Sequence, residues 1–121
     1  MSETTRITRL ATVGIRVTDQ RKATEFYVDE LGFEIRRDVP FGPGRWIEVA
    51  PPGATTTIAL VPAEIPAGIR LTTTDADADH TALRARGVDV DAEVMRMGAG
   101  VPPMFSVRDP DGNNLILIQD S

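Results

Sequence analysis

Cysteine is absent from this chain, and histidine, tryptophan and tyrosine each occur once in 121 residues. Without cysteine there are no disulfides, no thiolate metal sites and no cysteine nucleophile. Long apolar runs are missing too, and nothing approaches the ~20 residues that cross a bilayer as a helix. The opening Met1-Ser2-Glu3-Thr4-Thr5 lacks the basic-then-apolar order of a signal peptide. Basic charge is in deficit: 13 Lys and Arg against 18 Asp and Glu leave a net charge of −5. That balance argues against nucleic acid and against anionic membranes as partners. The expectation is a soluble, cytoplasmic protein of one domain, residues 1–121. Its 41% hydrophobic residues are enough to build a packed core.

What is present is a pattern used twice. Thr12 to Thr18 alternates, with Val13, Ile15 and Val17 on one face and Thr12, Gly14, Arg16 and Thr18 on the other. Asp19 follows as a helix N-cap, and Gly32 ends the helix where positive φ is needed. Between them Ala23, Phe26, Tyr27 and Leu31 recur at helical spacing as the apolar stripe. The second copy has a strand over 68–73, a cap at Asp75, a helix over 76–86 and a stop at Gly87. Gly32 lies 13 positions after Asp19, and Gly87 lies 12 positions after Asp75. Further strands are expected at 33–37, 45–50 and 55–61, then at 88–94, 104–108 and 114–119. Loops are expected at Pro40–Gly44 and 95–102, and a firm turn at Asp109-Pro110-Asp111-Gly112-Asn113. Neither half can bury its own apolar face, so the halves share one sheet or barrel. The order is β-α-β-β-β twice, an α+β arrangement with module 1 at about 7–62, module 2 at about 66–120, and a short joint at Pro62 to Pro66.

Two runs carry a resemblance. Val17-x-Asp19…Ala23…Phe26-Tyr27…Leu31-Gly32-Phe33 resembles the opening of the vicinal oxygen chelate (VOC) superfamily. This is the group of glyoxalase I, bleomycin resistance proteins and extradiol dioxygenases. Arg108-Asp109-Pro110-Asp111-Gly112-Asn113-x-Leu115-x-Leu117 resembles its C-terminal hairpin, the more specific of the two. The resemblance implies two tandem βαβββ modules forming a cup-shaped mixed sheet, usually in a homodimer. It also implies a metal held by inward side chains at positions that fall here on Thr12, Ala59, Gly68 and Ile116. One hydroxyl among four such residues cannot supply the three or four N, O or S donors a divalent ion needs. No metal and no cofactor are therefore expected.

Single residues then narrow the candidates. His80 reads as a helix residue beside the core rather than a base. Asp75, Asp77 and Asp79 read as complements to a helix dipole rather than a cation loop. Arg16 and Arg70 share strand parity with Thr12 and Gly68, and such a pair can clamp a carboxylate or phosphate. The competing reading pairs each with an acid such as Glu48, or lets it reach solvent. Trp46 and Glu48 share a face, placed inward because Ile47 and Val49 are the better helix-packing pair. Met95, Met97, Met104 and Phe105 bracket a Gly/Pro-rich loop and suit either an adaptable apolar binding surface or a dimer contact. The expected ligand-binding residues are Arg16, Trp46, Glu48, Arg70, Phe105 and Ile116. The reading is a metal-free protein that sequesters an organic ligand, anionic if the arginines clamp it, with no nucleic acid or membrane partner. The alternative is a metal-dependent lyase, isomerase or ring-cleaving dioxygenase of the same superfamily with displaced ligands, Glu48 recruited among them.

Overall fold

A computed structural model describes residues 5–42, 44–62, 67–98 and 100–120. The elements are β1 (Ile7–Arg16), α1 (Gln20–Glu25) continuing as a π turn (Phe26–Glu30), β2 (Glu34–Phe41), β3 (Gly44–Ala50) and β4 (Thr57–Val61). There follow β5 (Gly68–Thr73), α2 (Ala76–Ala85), β6 (Asp89–Val90), β7 (Met104–Arg108) and β8 (Asn114–Gln119). The chain forms two compact units: Ala11–Gly68, and the N-terminal segment to Leu10 with Ile69–Ser121. Strand β1 thus gives its first residues to one unit and the rest to the other. The two-module α+β expectation holds. Of the joint expected at Pro62 to Pro66, residues 63–66 lie outside the described residues.

In the Ala11–Gly68 unit the strand order is β2-β3-β4-β1, with β1 parallel to β4 and the other pairs antiparallel. The face toward α1 carries Ile47, Val49 and Leu60, packed against Val17, Ala23, Tyr27, Val28 and Phe33. Fully buried side chains such as Val49 and Leu60 each contribute about 1.5–3 kcal/mol of apolar transfer free energy. Strand β2 runs on to Phe41 and hairpins tightly into β3, so the loop expected at Pro40–Gly44 shrinks to its last few residues. A β-bulge falls between Ile35 and Arg37. From it Arg36 bonds Glu34 and donates to the carbonyls of Pro51 and Ala54, tying β2 to the β3–β4 turn.

The other unit orders its strands β5-β8-β7-β6, with the start of β1 beside β5. Phe105, Val107, Leu117 and Ala76 form its core, with Leu71, Leu83, Val88, Val90 and Val94 around them. The strand expected over 88–94 pairs only at Asp89–Val90. Beyond it, the Asp91 carboxylate is occupied by the Ser106 N–H and the Arg108 guanidinium.

Both helices start and stop as expected. Asp19 accepts from the Lys22 N–H and Asp75 from the Ala78 N–H, each at 3.0 Å. Gly32 and Gly87 end them with φ of +77° and +80°. The extra residue of the first copy has a structural consequence. Helix α2 closes with Val88 N–H on Leu83 O and Gly87 N–H on Arg84 O, the usual Schellman pair. In the first copy each of these rings is one residue longer, Phe33 N–H on Tyr27 O and Gly32 N–H on Val28 O. The insertion is absorbed as the π turn. It also shifts the phase of the apolar stripe. Ala23, Tyr27 and Val28 pack inward, whereas Phe26 and Leu31, expected on the stripe, are half-exposed.

Asp79 corrects another expectation. Its carboxylate is fully buried and accepts from the Arg6 backbone N–H at 2.9 Å and from the Thr73 hydroxyl. It anchors α2 to the strands rather than complementing the helix dipole from the surface. Asp77 remains at the surface, paired with Arg96.

Candidate functional site

On the face of the Ala11–Gly68 unit turned away from α1, register brings Thr12 beside Thr57 on β4, and Ala59 between Gly14 and Glu48. Alternation along β3 puts Trp46 on the same face as Glu48, and along β1 puts Arg16 on the same face as Thr12. The side chains form a connected chain. Trp46 Nε1–H donates to Glu48 Oε2 at 2.6 Å, and Thr57 Oγ1–H donates to Glu48 Oε1 at 2.6 Å. Thr12 and Thr57 hydroxyls lie 3.1 Å apart, both residues buried.

Proton counting fixes the direction of this chain. An indole nitrogen only donates, and a hydroxyl has one proton. Both Glu48 carboxylate oxygens accept a hydrogen bond. Thr57 spends its proton on Glu48, so Thr12 must donate to Thr57. The polarity runs Thr12 to Thr57 to Glu48, with Trp46 meeting the carboxylate from the other side. The Thr12 oxygen and the remaining Glu48 lone pairs are left as acceptors. Phe41, paired edge-to-face with Trp46 at 5.9 Å between ring centroids, extends the aromatic wall. Arg16 is exposed at the end of β1, opposite Val61.

In the other unit, Arg70 pairs with Ile116 across β5 and β8, and Ser106 of β7 lies on the far side of Ile116. These residues share the face turned away from α2, with Arg70 and Ile116 buried. Phe105 does not join them. It is one residue out of phase with Ser106, is 1% exposed, and packs under α2 in the core. Its ring lies edge-on to His80, 5.0 Å between centroids. Phe105 is therefore a core residue and not a ligand wall. His80 is half-buried beside that core, its Nε2 2.7 Å from the Asp91 carbonyl oxygen.

Two contributors escaped the sequence reading. Thr57 shares parity with Ala59, already placed on this face, and that was its available signal. Phe41 was assigned to a loop, although Arg37, Val39 and Phe41 alternate across from Glu48, Trp46 and Gly44.

The sequence profile of the Glyoxalase/Bleomycin resistance protein/Dioxygenase superfamily matches residues 9–117. The chain belongs to that superfamily. The glyoxalase-superfamily chain is 33% identical to the uncharacterized protein YetH of Bacillus subtilis (strain 168), covering 92% of this chain and 98% of that one. It is 31% identical to the uncharacterized protein YurT of the same organism, with the same coverage. Among solved structures, methylmalonyl-CoA epimerase from Mycobacterium tuberculosis superposes with a TM-score of 0.80 at 25% identity, over 100% of this chain and 93% of that one.

The superfamily's metal can be tested against the donors present. Of Thr12, Ala59, Gly68 and Ile116, only Thr12 carries a donor atom, and that hydroxyl already bonds Thr57. Among the described residues, no group of three or more His, Cys, Asp or Glu is arranged to hold a metal ion. The donor set does not fit a divalent cation, which needs several imidazole or carboxylate ligands converging.

Proposed function

We propose that this superfamily member binds a small organic molecule without a divalent metal, using the face built by Thr12, Trp46, Glu48 and Thr57. The observation that carries the reading is the Glu48 carboxylate. It is held by Trp46 and Thr57 on a part-buried face beside an aromatic pair. A fixed carboxylate next to a flat apolar wall selects a planar ligand that presents an N–H or ammonium group. Arg16, on the same face, receives an acidic substituent of such a ligand. Arg70 and Ile116 remain proposed ligand residues on their own unit. No step of bond-making is assigned to this face. The protein is proposed to act as a homodimer in the cytoplasm, which light scattering and fractionation check directly.

Trp46 is the only tryptophan, so intrinsic fluorescence reports on this face alone. A panel of planar amines, their neutral analogues and their carboxylated analogues is titrated against the protein. The amines are expected to change Trp46 emission saturably, and Glu48→Gln to weaken them at least about tenfold with the melting temperature nearly unchanged. Amines binding no better than neutral analogues, or equally well to Glu48→Gln, refute the reading. An epimerase matching the fold at a TM-score of 0.80 supports a second reading, an isomerase of this superfamily with Glu48 taking a proton. Turnover that a chelator abolishes, and that Glu48→Gln removes, would replace the first reading with this one.

A further inference from the structure

A β-bulge decides which of two adjacent arginines reaches the Glu48 face. Before the bulge, β2 pairs Glu34 with Ala50 and Ile35 with Val49. Continued without a break, that register would set Arg36 across from Glu48 and turn Arg37 to the α1 side. Instead the register slips by one residue after Ile35, and Arg37 stands across from Glu48. A bulge leaves its extra residue outside the ladder and re-aims the side chains that follow. Arg36 is that residue, and its guanidinium is spent on Glu34 and on the carbonyls of Pro51 and Ala54.

The side chains beyond the bulge agree with this phase. Arg37, Val39 and Phe41 alternate onto one face of β2, and the Phe41 ring meets Trp46 there at 5.9 Å. Asp38, between them, bonds Arg45, which alternates with Trp46. As a directly opposed pair, Arg37 and Glu48 have Cβ atoms about 4.5–5.5 Å apart. Yet Glu48 takes its hydrogen bonds from Trp46 and Thr57. Arg37 is exposed and makes no ion pair among the described residues. A cation beside a carboxylate that other donors hold is available to a ligand's anion.

Distance separates Arg37 from Arg16. Glu48 pairs with Ala59, and Ala59 with Gly14, so Arg16 is two strands and two residues away from Glu48. Strand spacing and rise make that about 12 Å between Cα atoms, against about 5 Å for Arg37. An acidic group close to the ligand's N–H falls to Arg37, and Arg16 is left for a more distant one.

We propose that Arg37 is a specificity-determining residue of this face, its guanidinium binding the carboxylate of a ligand whose N–H or ammonium group sits on Glu48. The favoured ligand is a compact zwitterion, a planar ring carrying both an amine or amidine and a carboxylate. This rests on the Glu48 reading above and adds a second charge requirement to it.

The test titrates the full chain with benzamidine, 4-carboxybenzamidine and the methyl ester of the latter, followed by Trp46 fluorescence. The parent should bind 4-carboxybenzamidine at least about tenfold more tightly than benzamidine or the ester. Arg37→Gln should erase that preference while leaving benzamidine affinity unchanged, Arg37→Lys should restore part of it, and Arg16→Gln should keep it whole. A parent that does not prefer the carboxylate over its ester overturns the proposal without any variant. A preference that survives Arg37→Gln, or that Arg16→Gln abolishes instead, overturns it as well. If Glu48→Gln weakens benzamidine but Arg37→Gln spares the carboxylate preference, this proposal alone fails. If Glu48→Gln leaves benzamidine binding intact, or benzamidine does not bind the parent, the Glu48 reading fails and takes this one with it.

Discussion

Replacing Asp79 by alanine should cost more stability than any other single change of a carboxylate in this protein. Asp79 is fully buried and accepts from two donors, the Arg6 backbone N–H and the Thr73 hydroxyl. Its contact with the Arg6 guanidinium is long, at 3.8 Å, and that side chain is half in solvent, so the ion pair adds about 0–1 kcal/mol. The hydrogen bonds dominate. Each buried donor left without an acceptor costs about 1–3 kcal/mol, and release of the carboxylate from its own desolvation offsets part of the total. A net loss of about 3 kcal/mol follows. With a urea m-value of about 1.5 kcal/mol/M, the midpoint falls by about 2 M. Asp79→Asn should behave differently. Its amide oxygen still serves Arg6, and the Thr73 hydroxyl turns to accept from the amide N–H, so the loss is about 1 kcal/mol. Urea denaturation of parent, Asp79→Ala and Asp79→Asn, followed by circular dichroism, measures both numbers. An alanine variant losing less than about 1 kcal/mol, or an asparagine variant as damaged as alanine, refutes the argument that two buried donors depend on this carboxylate.

Other consequences follow from the same contacts. Phe105→Ala should destabilise by about 3–5 kcal/mol, while Phe105→Leu, once folded, should bind any Trp46-reported ligand as the parent does. A ligand-specific loss in Phe105→Leu would return that ring to the binding surface. Gln20→Ala removes the amide that donates to Arg45 O and Leu60 O and accepts from Arg45 N. The β3–β4 ladder pairs only Glu48 with Ala59 and Val49 with Ile58, so the free end of β3 should loosen. The expected signs are red-shifted Trp46 emission and a loss of about 1–2 kcal/mol, and unchanged emission would contradict the bridging role. At the β7–β8 turn, the Asn113 side-chain amide, then its backbone N–H, hold the Asp109 carboxyl below its ordinary value of 3.8. A depressed folded value means this stabilisation is complete above pH 3.8 and is lost as pH falls through the lower folded value. Asp109→Asn should flatten the acid limb of the stability profile, and a profile identical to the parent's would show the turn contributes nothing there.

Much of the architecture follows from local rules that act through neighbouring residues. Asp19 and Asp75 cap because a short carboxylate can reach orphan N–H groups one turn on. Gly32 and Gly87 stop their helices because only a residue without Cβ enters positive φ freely. Alternation in Thr12 to Thr18 and in Trp46 to Val49 assigned faces, since successive strand residues point opposite ways. The repeat and the β7–β8 turn were legible for the same reason, and the superfamily through the resemblance carried by the runs at Val17–Phe33 and Arg108–Leu117. The tertiary structure decided whatever depends on phase or on a distant partner. Phe105 and Ser106 differ by one position, and only pairing of β7 with β8 says which of them meets α2. The one-residue insertion between Asp19 and Gly32, relative to Asp75 and Gly87, was countable, but its absorption as a π turn depended on which side chains the sheet would accept. Asp79 reads as a surface acid until Arg6 and Thr73, from distant parts of the chain, close over it. The polarity running from Thr12 through Thr57 to Glu48 exists only because parallel pairing sets two hydroxyls 45 residues apart within 3.1 Å. A hydrogen-bond chain is a property of juxtaposition, which no single strand carries in its own sequence.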